Sequence, residues 1–279
     1  MAAAPSVSIV IPAFNEEDTI GPCLVAAVLQ TVPAAEILVI DNRSTDRTAE
    51  VVRELQAEYP DAPIVYLRQD EEQGLIPTRN LGLDRATGDV LGRIDADSII
   101  DPDWVEVVSR TFADGQVDAA TGPVLYYDMP LRRLGLRADD RIRQAILRLT
   151  SEYHFLFGSN MAIRATAWAD IRSEVCRDED DELHEDIDIS VHLTRRDHRI
   201  AYVSAMVSGM SARRLEDSPR DYGYYAMRFD RTYARHGIHA PVLRAPMLVF
   251  LAIYPMLKPI HVLRQKRDSV LARFGGPAA

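Results

Sequence analysis

A chain of 279 residues with 47% hydrophobic and 27% charged residues carries enough apolar side chain for one large core or two small ones. Its formal charge of −10 argues against nucleic acid as the main partner, because a phosphate backbone asks for a surplus of Lys and Arg. Cys23 and Cys176 match no metal-ligand spacing, and MAAAPS leads straight into a strand-like run, so the expectation is two reduced thiols in a cytoplasmic protein.

VSIVIPAFN (7–15) reads as a short β-branched strand, followed by a helical stretch from Thr19 to Gln30. EILVIDN (36–42) is the second strand, and Ser44 is placed to cap a helix running to about Tyr59. PIVYLRQ (63–69) is the third strand, with a helix over about 77–86. DVLGRIDAD (89–97) is the fourth, and Pro102 opens a helix where proline is best tolerated. Alternating strands and helices, with strands apolar along their whole length, predict a mainly parallel sheet covered on both faces. After about residue 115 the pattern loosens. QVDAATGPVLYYD predicts one strand, 131–149 a basic amphipathic segment and RIAYVSAMV (199–207) another strand, with mostly helix over 217–275. No repeat or low-complexity linker divides the chain. The reading is one compact unit over 1–215, with a nucleotide-binding half to about 115 and an acceptor half beyond it, then a helical extension over 216–279.

Open sheets of this kind bind ligands beyond the carboxyl ends of their strands. Polar residues gather at those ends: Asn15 and Glu16, Asp41 and Asn42, Arg68 to Asp70, then Asp95 and Asp97. A rim with more acid than base has to be solvated, paired or metal-bound. Asp-x-Asp alone is weak evidence, since 101/103, 178/180 and 186/188 match it too. No GxGxxG follows the first strand and no Walker P-loop is present, which excludes the usual dinucleotide and P-loop sites.

In series, SIVIPAFNEEDTI, VIDNRSTDRTAEVV, EEQGLIPTRNLGL, GDVLGRIDADSIIDPDW, GSNMAIR and HEDIDIS resemble family 2 glycosyltransferases of the GT-A fold, over roughly residues 6–210. The resemblance implies transfer of a sugar from a nucleotide diphosphate donor, UDP favoured, to an acceptor hydroxyl, with Mg²⁺ or Mn²⁺ and inversion at the anomeric carbon. It assigns Asp97 as metal ligand and Asp95 to the ribose or a metal-bound water, with Ala96 between them. It assigns Asp41 to the base, Pro12, Ala13, Asn15 and Glu16 to the base and ribose, and Arg79 to the nucleotide. In HEDIDIS it gives Glu185–Asp186 as the family's acidic pair and Asp186 as the general base. The surrounding acids, in a stretch 178–188 that holds eight with Asp186 among them, would raise its pKa if they lie close in space. Gly158 and Asn160 would shape the floor beneath the donor sugar or acceptor.

The chain departs from processive members of that family. It has no Gln-x-x-Arg-Trp motif, its only tryptophans being Trp104 and Trp168. One sugar per encounter is therefore expected. Arg213 and Arg214 of SARRLEDS could close over the diphosphate as fork-shaped donors. His236 and His239 are candidates for a late metal-ligating histidine, with nothing local to favour them over surface histidines. The longest apolar run, 245–257, is shorter than the roughly 20 residues that span a bilayer and holds Pro255. Followed by a basic stretch, segment 241–274 suits an interfacial helix on an anionic leaflet, a core helix or a homodimer contact alike. The interfacial reading would make the acceptor lipid-linked, though the stretch after the third strand is not that of polyprenyl-phosphate mannose synthases. Two rival readings are a non-catalytic relative that binds a nucleotide sugar or a partner protein, and a sugar nucleotidyltransferase. The latter usually has a Gly-rich, basic first loop, which PAFNEEDTI lacks.

Overall fold

The computed structural model describes residues 4–149, 154–177, 182–239 and 244–273. Strands β1 (Val7–Ala13) and β2 (Glu36–Asp41) are buried along nearly their whole length. Their side chains alternate between two apolar clusters. Ile9, Ile11, Ile37 and Val39 face one layer, while Val10, Leu38 and Ile40 face the other. A strand with period-2 side chains and no polar face can sit only between two covering layers.

With β3 (Ile64–Arg68) and β4 (Val90–Ile94), these strands form four parallel neighbours in the order β3-β2-β1-β4. The sheet then turns mixed. β8 (Asn160–Arg164) pairs antiparallel with β4 and with β6 (Ala119–Thr121), and β9 (Ile200–Tyr202) closes the far edge parallel to β6. A second, three-stranded sheet orders β5 (Ile99–Ile100), β10 (Ser208–Met210) and β7 (Val124–Tyr126). This is the expected α/β fold. The strand predicted over 116–128 is two strands in different sheets, and the one predicted over 199–207 ends at Tyr202, with β10 following in the other sheet.

Helices α1 (Ile20–Val28), α2 (Thr48–Glu58) and α4 (Trp104–Phe112) contribute to one cluster. α3 (Leu75–Arg85), α6 (Ala165–Ile171) and α7 (Glu185–Arg195) contribute to the other. In α3, Gly82 lets the helix approach the sheet, since a Cβ there would stand 2.3 Å from Val10 Cγ1. Ser44 does not cap α2. That helix begins at Thr48, and Ser44 instead donates its N–H to Asp41 Oδ1 at 2.8 Å, a short-range bond that competes with capping.

The amphipathic segment is α5 (Arg132–Leu149), and the C-terminal part supplies α8 (Pro219–Ala226), α9 (Arg228–Arg235) and α10 (Ala245–Arg273). Two clusters tie α10 to the rest: Met247 joins Ile146 and Phe229, and Tyr254 joins Met129 and Tyr222. The prolines do not end α10. Pro255 and Pro259 lie one turn apart on an exposed face, where a carbonyl that loses its donor can be hydrated. As a result Met247–Arg264, with mean hydropathy 1.4, is a window of 18 residues long and apolar enough to cross a membrane by length and composition, which corrects the shorter span expected from the run 245–257.

Candidate active site

The carboxyl ends of β1, β2 and β4 bring the acidic rim together. Asn15, at φ +54°, holds the first loop in a left-handed turn. Its N–H donates to Ser44 Oγ at 2.9 Å, and its Oδ1 accepts from Thr45 N–H at 2.8 Å, so the first two strand-end loops are stitched to each other. Pro12 and Ala13 are buried at the end of β1, with Ala13 opposite Asp41 in register. Asp41 is only 2% exposed. Besides Ser44 N–H it accepts the Tyr66 hydroxyl, which burial and this carboxylate together push to a higher pKa. Each carboxylate oxygen keeps a second lone pair, so an incoming N–H still has an acceptor.

Asp97 is 4% exposed and carries its charge at a cost. Burial, opposed by Arg213 and reinforced by Asp95 and Glu16, pushes its pKa up to about 6. Arg213 Nε lies 3.1 Å from Asp97 Oδ2, and its two Nη groups donate to Glu16 at 2.8 and 3.0 Å. One guanidinium thus spans the first and fourth strand ends. Asp95 accepts from Arg79 Nη2 at 2.8 Å, while Ala96 is buried between the two acids. Asp95 and Asp97, both hard oxygen donors, line one cleft of about 340 Å³, and Glu16 is tied to its lining through Arg213. Arg213 already pairs with Asp97 and Glu16, so a Mg²⁺ or Mn²⁺ ion would reach these oxygens only by displacing that guanidinium. Among the described residues, the acid and histidine groups close enough to share one ion are Asp188, His192 and His236.

Arg79 reaches across to Glu185, and Arg93 Nη1 donates to the same Glu185 Oε1 at 2.7 Å. Burial alone would raise the pKa of Glu185, but the two guanidiniums outweigh it and hold it well below the usual carboxylate range. Glu185 is therefore an anchor that fixes the start of α7 to α3 and β4. Its neighbour Asp186 faces the cleft. Asp186 Oδ2 accepts Gly158 N–H at 2.9 Å, and Oδ1 accepts Ile187 N–H. Arg93 Nε donates to the Gly158 carbonyl at 2.8 Å, and a Cβ at position 158 would stand 1.9 Å from Arg93 Nη2, so a larger residue would have to push that buried guanidinium aside. Of the other acids near Asp186, residues 178–181 lie outside the described residues, and Asp188 turns away to His236 Nε2 at 2.7 Å.

Asn160 does not line the cleft. It is fully buried, accepting from Trp104 Nε1 at 2.9 Å and donating to the carbonyls of Pro123 and Met206. Its place is beneath the floor, joining the two sheets. His236 is not a surface histidine either. Itself half-buried, it forms with the buried Asp188 and His192 a group that links α7 and the end of α9, apart from the cleft lining. Arg214 lines the cleft, its guanidinium 3.9 Å from the Tyr225 ring centroid. The sequence reading missed Arg93, Tyr66, Arg143 and Tyr225. The only available signal was Arg93, a charge inside an apolar strand, which must have a buried partner.

His184, just before Glu185, packs edge-on against Tyr225 and Phe229 at 4.9 and 4.5 Å. Burial lowers its pKa, as it also lowers that of His236. The folded chain thus holds these rings neutral, while the unfolded chain protonates them below about pH 6.5, so stability is full above that value and falls as pH drops. His184→Phe should keep the edge packing and show a shallower loss of Tm between pH 7 and 5 than the wild type. An unchanged slope would remove His184 from the acid response.

On this mixed sheet Asp95 and Asp97 at a strand end and Asp186 line one cleft, the arrangement expected of a glycosyltransferase of the GT-A fold. The chain belongs to glycosyl transferase family 2, whose profile matches residues 8–172, more than half of it. It is 37% identical over 122 residues to glycosyltransferase AglE of Haloferax volcanii, covering 43% of this chain and 40% of that one. Over 122 residues it is 31% identical to glycosyltransferase GlyA of Streptococcus pneumoniae, 44% of this chain and 17% of the relative. The matches thus span less than half the length of these curated relatives. In fold it is similar to the mannosyltransferase PcManGT of Pyrobaculum calidifontis in complex with GDP-Man and Mn²⁺, with TM-score 0.65 and 20% identity over 99% of this chain and 77% of that one. It is also similar to S. aureus TarS 1–349 in complex with UDP-GlcNAc, with TM-score 0.56 and 18% identity over 89% and 71%.

Proposed function

We propose that this glycosyltransferase moves one sugar per encounter from a nucleotide diphosphate donor to an acceptor hydroxyl, with a divalent cation and with inversion. The observation that carries the reading is that Asp95, Asp97 and Asp186 face one cleft, together with Arg213 and Arg214. Asp97, with Asp95 beside it, would hold Mg²⁺ or Mn²⁺, which neutralises charge on the leaving diphosphate. Asp41 accepts the base N–H, and Arg79, tied to Asp95, keeps that carboxylate oriented. Arg213 and Arg214, which line the cleft beside Asp97, would hold the departing phosphates. Asp186, with a spare lone pair on each oxygen, takes the acceptor proton as the hydroxyl attacks. One base and one leaving group on opposite sides of the sugar suit a single displacement, hence inversion.

Support for a location at the inner face of the membrane comes from α10, where Leu248, Met256 and Leu263 are exposed, and from α5, which exposes Arg132, Arg133, Arg137 and Arg141. Such a surface suits cell-envelope or lipid-linked glycan synthesis.

A thermal-shift panel of UDP-, GDP- and dTDP-sugars, each with Mn²⁺ and with EDTA, tests the donor. A ligand that binds only the native chain raises Tm by mass action, about 2.7 kcal/mol at 100 times its Kd. A metal-dependent rise with one nucleotide is expected, UDP first. No rise with any of them sinks the donor reading and favours a partner-binding relative.

A further inference from the structure

Arg143 is charged, buried and only half used. It projects from α5 into the acceptor end of the cleft and is 6% exposed. Nε donates to Asp139 Oδ2 at 2.6 Å, and the guanidinium lies flat on Phe157, 3.7 Å from the ring centroid. Asp139 is shared, since the same oxygen accepts Val124 N–H at 2.9 Å. Nη1 is buried and meets no acceptor among the described residues. A buried N–H of a charged group without a partner costs free energy that the fold does not recover, so the group is held for something the fold lacks. Phe157 immediately precedes Gly158, whose N–H holds Asp186, and Arg143 and the proposed base line the same cleft. It stands apart from Asp95 and Asp97, which have Arg79 and Arg213.

We propose that Arg143 forms an oxyanion subsite for the acceptor: the molecule that receives the sugar carries a phosphate or carboxylate, which the Nη1–Nη2 edge holds in fork geometry while the hydroxyl meets Asp186. The inference rests on the transfer reading above. The fork edge left by the Asp139 contact matches two oxygens of one anion, and the Phe157 face fixes its plane. Two sources share this chemistry. A lipid-linked acceptor would run its apolar part past Met129, Ile253 and Leu257, toward exposed Leu131 and Met256. A soluble acceptor would need only the anion.

The test is titration calorimetry of the full chain with octyl phosphate, octanol, glucose 6-phosphate and glucose. The UDP- and GDP-sugar thermal shift is measured on the same preparations. The wild type should bind the phosphates at least about tenfold more tightly than their neutral partners. Arg143→Gln should remove that preference while the nucleotide shift persists. If Arg143→Gln fails to fold, the double variant Asp139→Asn, Arg143→Gln, which removes the pair together, serves in its place. A preference for octyl phosphate over glucose 6-phosphate assigns the lipid source, and equal binding the soluble one. Equal binding of charged and neutral probes to the wild type overturns the proposal, as does an undiminished preference in the variants. Loss of the nucleotide shift in the variants reassigns Arg143 to the donor and overturns it too. Absence of a nucleotide shift in the wild type is the separate failure of the transfer reading.

Discussion

Asp97→Asn is expected to abolish the metal-dependent thermal shift with nucleotide sugar and to lower turnover by at least about 10³-fold, while Tm stays level or rises. The two effects have one cause. Asp97 is nearly buried, and burial with Asp95 and Glu16 disfavours its charge. A neutral isostere relieves that repulsion, and Arg213 keeps both of its contacts to Glu16. On the proposed role, function would hold a charge that stability alone would discard, a trade familiar at active sites. Asp97 would hold the cation, and the charge stabilisation such a cation supplies is worth several kcal/mol, which converts to the stated loss. Calorimetric binding of Mn²⁺ in the presence of donor gives a readout independent of turnover. Retained metal-dependent binding in Asp97→Asn breaks the assignment.

Asp186→Ala should leave the nucleotide shift in place and lower transfer by about 10²–10⁴-fold, the usual contribution of a positioned base. Asp186→Asn should match it in turnover yet lose more stability than a conservative change suggests. Both carboxylate oxygens accept backbone N–H groups, from Gly158 and Ile187. An amide can offer its oxygen to only one, so its NH₂ is left facing the other donor, at roughly 1–3 kcal/mol. Steady-state kinetics with melting curves separates the two effects. Weakened donor affinity with either variant would move Asp186 out of the base role.

The acidic rim at the strand ends was legible because its signals are local. Asp41, Asp95 and Asp97 each stand at the end of an apolar β-branched run, and a parallel sheet places such ends together whatever the rest of the chain does. What lay hidden were the partners that consume the polar groups. Glu185 and Asp186 are adjacent in sequence, read as a pair and both line the cleft, yet one is held by two guanidiniums and the other only by backbone N–H groups. The difference comes from Arg79 and Arg93, at 106 and 92 residues' separation from Glu185. Asn160 read as a floor residue of the sugar site, but it is fully buried, and Trp104, Pro123 and Met206 take both its N–H donors and one lone pair of its oxygen.

By itself, then, the sequence determined the alternation that makes the sheet, the glycosyltransferase family and the strand-end acids, because each depends on residues a few positions apart. Tertiary structure alone decided that Arg213 spans Glu16 and Asp97, that Gly158 holds Asp186, that α10 runs on through two prolines and that Arg143 keeps an unused donor. Those facts depend on which distant groups share one low-dielectric space, where every buried charge must find its counterpart, and pairing of that kind leaves no periodic trace along the chain.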